Sequence, residues 1–151
     1  MLAAAALALG LGACGSTGSH LPNLGRVPLV HGAHPVARVT QCDRGANAYC
    51  AVVVVVYDRA YPSSYALLMS ERAYLHGHGW TGANGPVGPE GAADSPGHKL
   101  HLTYATAGDE LQSIDFNWVQ RPRSITHALS VSMFDRTPAL AMVLEYGSGS
   151  T

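Results

Sequence analysis

Charge is scarce in this sequence: Asp, Glu, Lys and Arg make up 13% of its 151 residues, about half the roughly 25% usual in globular chains. Nine basic and ten acidic residues are scattered singly and nearly cancel, for a formal net charge of −1. A chain with so little field of either sign has nothing to draw nucleic acid or to coat an anionic lipid surface. The short motifs of common chemistries are missing as well. No CxxC, HExxH, GxSxG or Walker loop occurs, which leaves metal-pair, metalloprotease, serine-hydrolase and phosphate-loop chemistry without a carrier. Acids are isolated rather than paired: Asp58, Glu71 and Asp94 stand alone, and the adjacent Asp109 and Glu110 fall in an expected turn, the ordinary place for solvated charge.

No apolar run is long enough to cross a bilayer. The longest, Leu2 to Ala13, is twelve residues of Ala, Leu and Gly, which suits the core of an export signal. It ends in Leu11-Gly12-Ala13-Cys14, followed by the tether-like Gly15-Ser16-Thr17-Gly18-Ser19. That order of parts resembles the lipobox signal of bacterial lipoproteins. The resemblance covers about the first nineteen residues and leaves the family of the folded domain unassigned. It implies cleavage after residue 13, attachment of diacylglyceryl and acyl (palmitate-type) chains at Cys14, and a protein held by its lipid on the extracytoplasmic side of the cell membrane. Such leaders ordinarily carry a basic segment ahead of the apolar run, and none lies between Met1 and Leu2. The alternatives are a plainly cleaved secretory leader and a buried N-terminal helix with an ordinary cysteine.

With Cys14 set aside, Cys42 and Cys50 remain as an even pair, expected to form a disulfide in an oxidising compartment. Seven residues separate them, among them the turn formers Gly45 and Asn47. Two free buried thiols are the alternative.

The expected organisation is a signal peptide at 1–13, a lipid-bearing tether at 14–35, one domain at 36–147 and a frayed tail at 148–151. About 115 residues are enough for a single core. Val36 to Gln41 alternates weakly, and Tyr49 to Tyr57 carries five consecutive valines, Val52 to Val56. A strand apolar on both sides belongs in the middle of a sheet with both faces met by something. Pro62-Ser63-Ser64 reads as a helix start, with Tyr65, Leu68, Met69, Arg72 and Leu75 at helical spacing until Gly77. Gly79 to Gly97 has no apolar period and reads as a long loop, the best ground for a site.

His98 to Thr106 and Gln112 to Trp118 both alternate and are expected to form a hairpin. Pro122 and Ser124 open a second helix with Ile125, Ala128, Leu129, Ser132 and Met133 on one stripe, and Ala139 to Tyr146 reads as the last strand. Strand, helix, strand, strand, helix, strand is the βαββαβ order of ferredoxin-like folds, so the expectation is an α+β two-layer sandwich with two helices on one face of an antiparallel sheet. That fold surrounds Val52 to Val56 with other strands and leaves Val36 to Gln41 no place beside it.

Three constellations bear on chemistry. His76 and His78, with His98 and His101, are candidate metal ligands, although on a strand His98 and His101 would point to opposite faces. The simpler reading puts His76 at a helix C-terminus, capped by Gly77. Gly77-x-Gly79-x-x-Gly82 has the form of a dinucleotide fingerprint, but closes a helix where the motif must open one. Arg121 and Arg123 flank Pro122 and could hold an anion at the second helix. No catalytic residue and no cofactor is assigned. The leading expectation is a binding or interaction module with an envelope protein or a second copy as partner, using the open sheet face or the Gly79 to Gly97 loop. A metal-assisted envelope enzyme and a structural spacer are the alternatives.

Overall fold

The computed structural model describes residues 21–42, 50–82, 90–106 and 137–150. They form five strands, β1 (His34–Cys42), β2 (Cys50–Tyr57), β3 (Glu90–Asp94), β4 (Leu100–Ala105) and β5 (Ala139–Tyr146), and one helix, α1 (Ser64–Gly77). The five valines of β2 are β-branched and favour extended backbone. They lie inside the sheet, whose order is β1-β2-β5-β4-β3 with every neighbouring pair antiparallel.

The class is therefore α+β, and the ferredoxin-like arrangement is corrected. Val36 to Gln41 lies in β1, which pairs with β2 from His34 opposite Tyr57 to Cys42 opposite Cys50, with a register shift at Val36. The conflict between that segment and the ferredoxin-like order is resolved in favour of the segment. The expected hairpin also fails. β4 pairs with β3 on one edge and β5 on the other, so neither edge is open to Gln112 to Trp118. That stretch, the second helix from Pro122, Asp109, Glu110, Arg121 and Arg123 all lie outside the described residues. Much of the expected Gly79 to Gly97 loop is structured: Glu90 to Asp94 is an edge strand, and Thr81 bridges to Asp94.

Cys42 and Cys50 are joined in a disulfide across the paired ends of β1 and β2. A ring this small stabilises by about 2.5 kcal/mol in the chain-entropy view, and here it fastens an edge strand to the sheet.

Helix α1 starts where the sequence puts it, because Ser63 in extended conformation accepts from the Ala66 N–H at 3.1 Å. Ser64 ties that end to the sheet, its Oγ donating to the Thr137 carbonyl and accepting from the Ala139 N–H. The buried stripe is Ser64, Leu67, Leu68, Glu71, Arg72 and Leu75, whereas Tyr65 and Met69 are 47% and 36% exposed. Of the expected stripe, Leu68, Arg72 and Leu75 are buried, whereas Tyr65 and Met69 face outward and Leu67 and Glu71 take the inner positions.

Under α1 lie Val52, Val54, Val56, Leu102, Tyr104, Leu140, Met142 and Leu144. Gly91 stands opposite Tyr104, and a Cβ there would come within 2.8 Å of the phenol, so only glycine lets the ring cross the edge strand. Residues 21–33, read from the sequence as tether, pack on this same side: Val27 is buried, and Leu24, Leu29, Val30 and Ala33 lie against the cluster. The other face holds Ala51, Val53, Val55, Ala105, Ala139, Ala141 and Val143, every one buried within the single chain.

Candidate functional site

Closure of both faces removes the open sheet as a binding surface and directs attention to the β3–β4 corner. Its backbone is tightly fixed. Ser95 and Leu100 bond to each other through main chain at 2.9 Å, the Ser95 Oγ accepts a second bond from the Leu100 N–H, and the His98 N–H donates to the Ser95 carbonyl. Inside this turn Gly97 and His98 are left-handed, with φ of 74° and 52°. Glycine takes that conformation without strain, but His98 does so at a cost of order 1 kcal/mol. The Gly147 N–H donates to the Lys99 carbonyl and holds the turn from behind.

This geometry brings together two of the four candidate histidines. His101 on β4 is the register partner of Asp94 on β3, and its Nδ1 lies 2.7 Å from Asp94 Oδ1. His98 belongs to the turn rather than to a strand, so the expected divergence of the two rings does not occur: its Nδ1 is 3.6 Å from Asp94 Oδ2. A carboxylate oxygen accepts, so His101 Nδ1–H is the donor of this bond. His101 and Asp94 are about one-third exposed and His98 more so, which makes the corner reachable by a ligand. Two side chains in register on adjacent strands, with a third beside them on a hydrogen-bonded turn, can bind a hydrogen-bonding partner.

His76 and His78 stand apart at the end of α1, where His78 Nδ1 lies 2.8 Å from the Tyr74 carbonyl. Among the described residues no three His, Cys, Asp or Glu side chains are arranged to hold a metal ion. The glycine pattern from Gly77 to Gly82 closes α1, as its spacing implied.

A second polar cluster lies under the helix and was invisible in the sequence. Glu71 is fully buried, with Oε2 accepting from the Val30 N–H at 2.9 Å and Oε1 without a hydrogen-bond partner among the described residues. Burial pushes its pKa up to about 7, against the opposing effects of the Val30 bond and His78. Tyr104 is also pushed up, chiefly by burial, with Arg72 lowering it and Glu71 raising it. This group is internal to the fold, and its role is to hold residues 21–33 against α1. Only the helical period of buried positions, continued through Glu71 and Arg72, could have signalled it.

No protein-family model, curated protein or solved structure matches the chain. Cys14 lies outside the described residues, and no described helix is long and apolar enough to cross a membrane.

Proposed function

We propose that this protein is a small binding module, tethered by lipid at Cys14 to the extracytoplasmic side of the cell membrane, that engages an envelope protein through the β3–β4 corner. The observation that carries this reading is the Asp94–His101 bond with His98 beside it. Asp94 and His101 are partly exposed and held opposite one another by the pairing of β3 and β4. The disulfide at the sheet edge is in keeping with an oxidising compartment.

A photo-reactive residue placed at Lys99 in intact cells tests the contact. The expected result is one discrete adduct that disappears on His101→Ala. An adduct of twice the chain mass would make the partner a second copy. Adducts from a probe at Thr40 but none from Lys99 would refute the assignment of the corner. Mass spectrometry of the native protein tests the anchor separately: an acylated N-terminal Cys14 is expected, and a bare thiol would contradict it.

A further inference from the structure

We infer that the α1 side of the domain rests against the anionic phospholipid surface of the membrane. This rests on the anchoring at Cys14 proposed above. Among the described residues the exposed charges are divided between two sides of the domain. On the α1 side the exposed charges among the described residues are arginines: Arg26 between Leu24 and Val27, Arg38 opposite Val54 on β1, and Arg59 in the link into α1. The acids of that side, Asp58 and Glu71, are buried. The carboxylates nearer water, Glu90 and Asp94, belong to the opposite face, in register with Ala105 and His101. Basic groups at a membrane surface are attracted to anionic headgroups, and each adds to the bias toward the side that carries it.

The surface between these arginines suits the same neighbour. Both charged residues of α1, Glu71 and Arg72, point inward, and its outward positions are Tyr65, Met69, Ala73 and His76, with Leu21 also exposed. Tyrosine places an apolar ring below and a hydroxyl at the headgroup level, and Met adapts to an irregular apolar surface.

Chain length restricts the choice further. The first described residue is Leu21, whose carbonyl accepts from Tyr146 OH at 3.0 Å, and Tyr146 packs with the cluster on the α1 side. Six residues lie between Cys14 and Leu21, so the lipid lies within roughly 25 Å of that point even when the seven Cα steps are fully extended. The tether leaves the domain on the side that carries the arginines.

The test uses the full chain, its disulfide intact, coupled through the Cys14 thiol to a maleimide-bearing lipid in vesicles of equal phosphatidylglycerol and phosphatidylcholine. A fluorescent amino acid is placed at Met69 or, on the opposite face, at Ala92, and quenching by brominated lipid is read. Several-fold stronger quenching at 69 than at 92, reduced by Arg26→Glu with Arg59→Glu, is the expected result. Equal quenching at the two positions, or none at 69, would overturn the orientation and leave the helix face to a protein partner. Because the coupling is chemical, this outcome does not depend on whether cells acylate Cys14. A bare thiol in the native protein would remove the anchor, and the quenching result would still report the intrinsic preference of the surface.

Discussion

The two faces of β2 are built from the same residue type and packed on opposite plans. Val52, Val54 and Val56 meet large, shaped side chains, including Leu67, Leu68, Leu102, Tyr104 and Met142, together with the buried Glu71 and Arg72. Val53, between Val39 and Val143, and Val55, between Ala37 and Ala141, belong to a cluster of smaller side chains that also holds Ala51, Ala105 and Ala139. Large residues fix one arrangement by interdigitation, whereas small ones permit close approach of backbone and leave little room for additional volume. One face should therefore fail when atoms are removed and the other when they are added.

The largest effect should come from truncation under the helix. Leu102→Ala leaves a cavity at a fully buried position, at an expected cost of about 2–5 kcal/mol, measured by urea denaturation. A loss below about 1 kcal/mol would mean the face collapses around the gap as an unshaped core would.

The same face should respond to pH through Glu71. Its folded pKa is about 7 against an ordinary 4.5, so between these values the folded chain holds a proton that the unfolded chain releases. Stability from this group is therefore present below about pH 4.5, is lost as pH rises towards 7, and is level above, with a full span of up to about 3 kcal/mol. Glu71→Gln keeps an acceptor for the Val30 N–H and should remove this slope, gaining most above pH 7. Melts of the two proteins across the range should diverge as pH rises. Parallel curves would place Glu71 in contact with water.

On the second face the expected damage comes from enlargement. Ala141→Leu should cost about 1–3 kcal/mol, while Ala141→Gly should be milder than truncation of Leu102. Tolerance of Leu at this position would mean that the alanine face is loosely covered.

The same contrast explains what the sequence could and could not reveal. Val52 to Val56 and Ala139 to Tyr146 were legible as strands because their patterns are strong, and α1 because Ser63 caps it. β3 was not legible, since Glu90-Gly91-Ala92-Ala93-Asp94 has no apolar period and owes its place to Tyr104 covering Gly91. The expected strand order fails with it: the alternation of Gln112 to Trp118 suggests a hairpin partner for β4, whereas the patternless β3 holds that edge. On the inner face of α1, Leu68, Arg72 and Leu75 are legible from helical spacing, but Glu71 is not, because charged residues are rarely buried and it is accommodated by a backbone N–H from a segment that reads as linker. At the corner, Asp94 and His101 were each noticed, but only cross-strand register puts them opposite one another, and only the left-handed turn at Gly97 and His98 brings the third group to them.

Assignment of the site to this corner stands on both faces of the sheet being interior to one chain, and a lysine at Val55 tests that most directly. Val55 is 1% exposed on the face away from α1, and an unpaired buried ammonium there is too costly to accommodate. Val55→Lys should leave the chain without cooperative unfolding by circular dichroism, as Val54→Lys should on the other face. A cooperatively folded, monomeric Val55→Lys would contradict the account, reopening the alanine face as a surface available to partners.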